Sequence, residues 1–184
     1  MEKLMFRSEA PIRVLALAGL TFIAACADQK SSSPAVDPYA VQVAEAGDAE
    51  CIAASAEANR IGVAATNRAR AGKGLPPVQA DPVLAEVAAR HACDMAKRGR
   101  MTHFGSRAKM PSDRAKRMNY QPMIIAENIA AGPYDLQRVL REWNASQGHL
   151  ANINQPLVQD YGVGQAIGAD GRTRYWAAVY AARK

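Results

Sequence analysis

Three side chains capable of proton or metal chemistry are spread over the second half of the chain: His103, Glu127 and His149. Asn128 stands beside the carboxylate, and Asn152 follows the second histidine by three residues. Glu127 and Asn128 interrupt the apolar run Ile124-Ile125-Ala126-Glu127-Asn128-Ile129-Ala130. A carboxylate in such a run must find a partner or carry a desolvation cost of roughly several kcal/mol. Three chemistries fit these residue types. His103 and His149 with Glu127 near a bound water would suit zinc with an open coordination position. Ser146, three residues before His149, could act as a nucleophile with Glu127 orienting the imidazole. Alternatively the polar groups, with Asn128, Ser146 and Asn152 beside His103, Glu127 and His149, satisfy one another and floor a binding cleft, the usual condition of buried polar groups. The last reading is favoured: Gly148 stands between Ser146 and His149, the chain has no tight His-x-x-x-His motif, and no segment marks an oxyanion hole. The sequence demands no cofactor; zinc is the one this set could take.

The elements that must position these residues can be read from periodicity. Glu50–Ala71 is predicted as a helix stopped by Gly72-Lys73-Gly74, with Leu75-Pro76-Pro77 as an extended connector. Asp81-Pro82 opens a second helix, Asp as N-cap and Pro at the first helical position, and Gly99 ends it. His91 on that helix should pack or bond a neighbour. A short helix is expected near Ser112–Met118, and Met123–Ala130 has the character of a buried strand broken by Gly132-Pro133. Leu136, Val139, Leu140 and Trp143 recur as the stripe of an amphipathic helix that ends near Gln147-Gly148. Glu142, next to Trp143, should face another side. Tyr161–Ile167 and Arg174–Tyr180 flank Asp170-Gly171, a hairpin signal. The order implies an α+β fold, helices on a small, mainly antiparallel sheet.

The N-terminal 25 residues have the build of a targeting segment. Lys3, Arg7 and Arg13 precede the apolar stretch Val14–Ala25, which is too short to span a bilayer comfortably. It ends in Ile23-Ala24-Ala25-Cys26, a pattern resembling the lipobox of bacterial lipoproteins; Cys26 would then carry diacylglycerol and anchor the protein to a membrane. The expected localisation is the cell envelope, outside the cytoplasm. Ala27, where no Asp signals inner-membrane retention, points to the outer membrane of a two-membrane host. Residues 26–49 read as the lipidated cysteine and a flexible tether reaching about 25 Å on average, and residues 50–184 as one domain with a core of its own. Cys51 and Cys93, an even pair in an oxidising compartment, suggest a disulfide, with two unlinked buried thiols as the alternative.

The net charge is +6. Much of the excess is local: Lys97, Arg98, Arg100, Arg107, Lys109, Arg114, Lys116 and Arg117 lie within the 97–117 segment, opposed by Asp113 alone. The segment reads as a solvated surface loop or as a contact for an anionic lipid or wall polymer. Nucleic acid is not expected, because no aromatic residues are interleaved with these charges in the manner of a base-stacking surface.

Several short segments together resemble the CAP superfamily, or SCP domains, named for cysteine-rich secretory proteins, antigen 5 and pathogenesis-related 1 proteins. They are Asn67-Arg68-Ala69-Arg70 with Gly74-Leu75-Pro76-Pro77, His91-Ala92-Cys93-Asp94, Thr102-His103, Ala126-Glu127-Asn128-Ile129, Trp143 to Asn152, and Gly162-Val163-Gly164. The resemblance implies an α-β-α sandwich whose cleft carries two His and two Glu. His103, Glu127 and His149 match three of these. Ser146 stands where the second Glu is common, and Ala126 and Asn152 replace the family's Gly and Gln. The resemblance therefore implies a cleft binding lipid, sterol, peptide or a wall fragment, or a scaffold; a metal-dependent or serine-type hydrolase is the alternative. Any mechanism that needs two carboxylates is weakened by Ser146.

Overall fold

The computed structural model describes residues 36–184. The leader, Cys26 and the tether up to residue 35 lie outside the described residues. In chain order the elements are β1 (Val41–Gln42), β2 (Glu50–Cys51), α1 (Ala56–Ala71), β3 (Gln79–Ala80), α2 (Pro82–Arg98), β4 (Arg100–Met101), α3 (Pro111–Arg117), β5 (Pro122–Gly132), α4 (Leu136–Ala145), α5 (Gln147–Ile153), β6 (Asp160–Ile167) and β7 (Arg174–Arg183). The main sheet has the order β2-β6-β7-β5, with β3 added in parallel to the other end of β6's outer edge. The β6–β7 hairpin and the β7–β5 pair are antiparallel, and β1 and β4 form a separate antiparallel pair.

Alternation along β7 builds the two sides of an α-β-α sandwich. Tyr175, Ala177, Val179 and Ala181 join Leu84, Val87 and Met95 of α2 in one core. Trp176, Ala178 and Tyr180 point the other way, into a second core with Leu140 and Trp143 of α4 and Ile153 of α5. The first core is closed by close approach: a Cβ on Gly162 or Gly164 of β6 would overlap the α2 backbone at Leu84–Ala85 and Ala89. The α-β-α architecture, α2 as a capped helix and the β6–β7 hairpin all agree with the sequence reading. Asp81 caps α2 by accepting from Val83 N and Leu84 N, and Gly99 ends it in the left-handed conformation.

Two expectations need correction. Helix α1 starts at Ala56, capped by Ser55, whose hydroxyl accepts from Ala58 N. Glu50 and Cys51 instead extend the sheet, pairing with Ile167 and Ala166. Residues 36–49, expected as flexible tether, lie on the domain as a strap. Val41–Gln42 pair with Arg100–Met101, Val43 and Ala44 donate to Gly99 O, and Gly47 donates to Lys97 O. The strap runs so close to Gly99 that a Cβ there would overlap Ala44 O. Its low apolar content hides this, because backbone hydrogen bonds and the buried Asp37 hold it instead of an apolar face.

Arg70 ties the two ends of the helical layer that carries His149. Fully buried and with no carboxylate partner among the described residues, its guanidinium donates to Pro76 O, Ile153 O, Gln155 O and Val158 O. On the other side of the sheet, Cys51 and Cys93 form a disulfide joining β2 to α2 across 42 residues of sequence. A closed loop of this length stabilises the fold by roughly 4 kcal/mol on the chain-entropy account. Reduction, or Cys51→Ser, is expected to lower the unfolding free energy by about 2–4 kcal/mol in a denaturant titration. Identical curves for the oxidised and reduced protein would show that the bond adds nothing.

Candidate functional site

Glu127 lies near the middle of β5 with its side chain 1% exposed, and both its oxygens are taken. His103 Nδ1 is 2.9 Å from Oε1, and Arg114 Nη2 donates to Oε2 at 2.5 Å. Arg114, from α3, also donates through Nη1 to His103 O at 2.9 Å, so one guanidinium holds both the carboxylate and the backbone of its imidazole partner. His91 of α2 completes the cluster, its Nε2 3.7 Å from Oε1. The same Nε2 lies 2.9 Å from Thr102 O, a carbonyl that can only accept, so Nε2 carries the proton.

Burial alone would raise the Glu127 pKa. The positive field of His91 and Arg114 and the hydrogen bond from His103 outweigh it and hold the carboxyl at about 2. Burial presses His91 down to about 4. His91 is therefore neutral near pH 7, and Arg114 supplies the counter-charge there. With Glu127 ionised, His103 donates from Nδ1, which leaves Nε2 as its nitrogen for a ligand.

The strap fixes His103 from the opposite side. The buried Asp37 carboxylate accepts from His103 N at 2.6 Å, Thr102 Oγ1 at 2.5 Å and Tyr39 N at 2.9 Å. Burial raises the Asp37 pKa, but these hydrogen bonds and the charge of His103 leave it lowered overall. The Tyr39 ring meets the His103 ring edge-on at 6.1 Å between centroids.

His103, Glu127, Ser146, His149 and Asn152 line one cleft of about 920 Å³. It runs along the free edge of β5. On one side stand Pro38, Tyr39 and Val41 of the strap; on the other stands the α4–α5 corner. That corner also seals the strand edge: Asn152 Nδ2 donates to Glu127 O, and Trp143 Nε1 donates to Ile129 O.

Asn128, expected in the cleft, is fully buried outside it. The pleat turns it to the face opposite Glu127, where its amide donates to His149 O and Tyr180 Oη and accepts from Asn152 Nδ2. It positions α5. His149 is half-buried, its Nδ1 enclosed and without a partner among the described residues, and its pKa is lowered by burial and by the charge of His103.

Ser146, the junction of α4 and α5, makes no side-chain cap bond, and no hydrogen bond joins it to His149 among the described residues. Glu127 is turned to His103, so the Ser146–His149–Glu127 chain does not assemble. Among the described residues no group of three His, Cys, Asp or Glu could hold a metal ion, so Glu127 does not join His103 and His149 as a third ligand. Both oxygens of Glu127 are already bound.

Sequence reasoning misses four contributors to the site: Arg114, Asp37, Tyr39 and Glu142. Glu142, expected on another face, stands on the exposed rim of the cleft 3.6 Å from Arg138. The sole sequence signal for Arg114 is the need of a buried carboxylate for a permanent cation.

The same fold and motifs occur in known proteins. A family model for the cysteine-rich secretory protein family (CAP) matches residues 63–180. The chain is 30% identical over 140 residues to the uncharacterized protein YkwD of Bacillus subtilis, an alignment covering 76% of this chain and 53% of YkwD. It thus spans about half the length of that relative. A crystal structure of an extracellular SCP-domain protein from Bacillus anthracis is similar, with TM-score 0.61 and 26% identity over 70% of this chain and 41% of that one. An outer surface protein of Borrelia burgdorferi shares the fold, with TM-score 0.59 and 21% identity over 70% of this chain and 95% of that one.

The Glu127 cluster gives two measurable expectations. Glu127→Gln and Arg114→Met each leave a buried charge uncompensated and should cost about 3–5 kcal/mol. The double variant should cost less than the sum by at least about 1 kcal/mol; additive losses would mean that the two groups do not act as a pair. Stability should also fall with acidification. His91 moves from an ordinary value of 6.5 to about 4 on folding, and Glu127 from 4.5 to about 2. In both windows the unfolded chain binds more protons, so stability is lost from about pH 6.5 down to 4 through His91 and from about pH 4.5 down to 2 through Glu127. A melting temperature that is flat from pH 7 to 4, or a slope unchanged by His91→Gln, would contradict this assignment.

Proposed function

The chain belongs to the CAP family, and we propose that it is a binding module of the cell envelope. Its cleft takes a ligand with an apolar body and a polar end: a lipid, a peptide or a wall component. The observation that carries this is the composition of the cleft. Tyr39, Val41 and Tyr134 give it apolar walls, with Ile129 and Trp143 buried directly behind, and His103 and His149 offer a small polar floor. Glu127, the buried carboxylate among the residues lining the cleft, is neutralised within the protein by Arg114, so the floor presents imidazole groups and not a free acid–base pair. A scaffold role for the same surface needs no further chemistry.

An extracytoplasmic setting is supported by the Cys51–Cys93 disulfide, by the extracellular B. anthracis relative and by the lipobox-like leader. If Cys26 carries lipid, the docked strap shortens the linkage. Nine residues, ten Cα–Cα steps, lie between Cys26 and Val36, so the cleft rim would stay within roughly 35 Å of the membrane. A hydrolase remains the alternative function, and the geometry favours it less, since among the described residues no hydrogen bond joins Ser146 to His149 and Glu127 is turned to His103 and Arg114.

Trp143 lines the cleft and reports on its occupancy. Titration with a short-chain phospholipid and with a wall-derived muropeptide should give saturable changes in tryptophan fluorescence for one of them. Tyr39→Ala should weaken that binding by roughly tenfold, the loss of one buried aromatic contact. Absence of saturable change with either ligand would overturn the binding role. A fluorophosphonate probe should leave Ser146 unlabelled; labelling abolished by Ser146→Ala would instead establish the hydrolase. Mass spectrometry of the mature N-terminus should find diacylglyceryl-Cys26, and an unmodified Cys26 would remove the anchor.

A further inference from the structure

A second cavity, of about 510 Å³, lies on the other side of Arg114, between α2 and the loop leading into α3. Its wall carries Arg90, Lys97, Arg107, Arg114 and Arg117 against a single carboxylate, Asp94. The acid is already committed: Asp94 pairs with Arg98 at 2.6 Å and accepts from both the backbone N–H and the hydroxyl of Ser106. Arg90 is paired with Glu86 and Arg114 with Glu127. Lys97, Arg107 and Arg117 have no carboxylate partner among the described residues. They are exposed at the cavity while its one acid is neutralised from within.

Two buried polar atoms belong to residues in the same wall. Among the described residues Arg114 Nε is enclosed without a hydrogen-bond partner, and so is Nδ1 of His91, a residue 1% exposed. A solvated charged loop has no need of a concave surface or of unpartnered polar atoms beneath it. We propose that this cavity is an anion site that receives a phosphate group, with Arg107, Arg117 and Lys97 as its charged contacts. Several cations around a concavity suit a compact multivalent oxyanion better than a carboxylate, since each phosphate oxygen can accept a charge-assisted hydrogen bond. The phosphate could belong to a free metabolite or polymer unit or to a lipid headgroup; the chemistry of the site is the same. The site is separate from the His103 cleft and does not depend on what that cleft binds.

The test uses the purified protein and two probes, inorganic phosphate followed by amide NMR shifts and phosphatidylglycerol vesicles followed by co-sedimentation against phosphatidylcholine vesicles. Saturable shifts at Ser106, Arg107 and Arg117 are expected in the millimolar range or tighter. The double substitution R107A/R117A replaces exposed side chains, so the fold should survive. It should weaken binding by roughly tenfold or more. Arg172→Ala, in the exposed hairpin turn, should leave binding within about twofold. Loss of phosphate binding in R107A/R117A supports a site for free phosphate; loss of vesicle binding in that variant supports a headgroup site. Binding of neither probe, or binding equally sensitive to Arg172→Ala, would overturn the proposal, because the charge would then act only as a diffuse field.

Discussion

One buried charge organises this molecule. Glu127 is placed by strand alternation on the face of β5 that meets α2 and α3, where water cannot solvate it. A carboxylate there is tolerable only if a permanent cation reaches it, and the cation comes from α3. That requirement fixes more than one pair. Arg114 must lie along the loop that carries His103, and its second nitrogen holds that loop by the His103 carbonyl. The imidazole then turns its Nδ1 to the carboxylate and presents its remaining nitrogen to the cleft. Helix α3 is seven residues long, too short to be stable by itself. Its position follows in part from the ion pair it supplies.

The second constraint is the free edge of β5. An unpaired strand edge invites another chain, and this protein covers it with side chains instead of a strand. Asn152 and Trp143 donate to the carbonyls of Glu127 and Ile129, while Asn128 and Asn152 bond to each other across the α5 junction. The cleft is what remains along that edge once the corner and the strap are in place. Sealing the edge and building the site are thus the same set of contacts, and polar residues concentrate here for both reasons.

Much of this is legible in the sequence, and the exceptions share a cause. Helix α2 is announced by Asp81-Pro82 and Gly99, and the hairpin by Asp170-Gly171, because caps and turns are local chemistry. The isolated Glu127 in an apolar strand marks a site correctly. Its counter-charge cannot be picked from eight nearby cations, since which one is buried depends on the angle at which α3 docks. The strap is hidden for a related reason. Its Asp37 and backbone donors find partners around Gly99 and His103, more than fifty residues away, and no apolar periodicity advertises that. Asn128 is drawn into the expected cleft because it adjoins Glu127, although neighbours in a strand face opposite sides.

The chemistry open to the cleft follows from how its charge is spent. A two-carboxylate site needs one acid held near neutrality and another kept ionised, by environments that differ. Here the inner carboxylate is locked in the ionised form by Arg114 and His103. Ser146 takes the position from which a second could enter, and Glu142 stands outside on the rim against Arg138. Each Glu127 oxygen already accepts from a fixed donor, His103 on one side and Arg114 on the other, so the carboxylate orients its neighbours and is held in its ionised form. The imidazoles remain: His103 oriented by the carboxylate, His149 with its Nδ1 enclosed and without a partner among the described residues. In the proposed binding role, these two hydrogen-bonding rings along the cleft are the groups that would orient the polar end of a ligand.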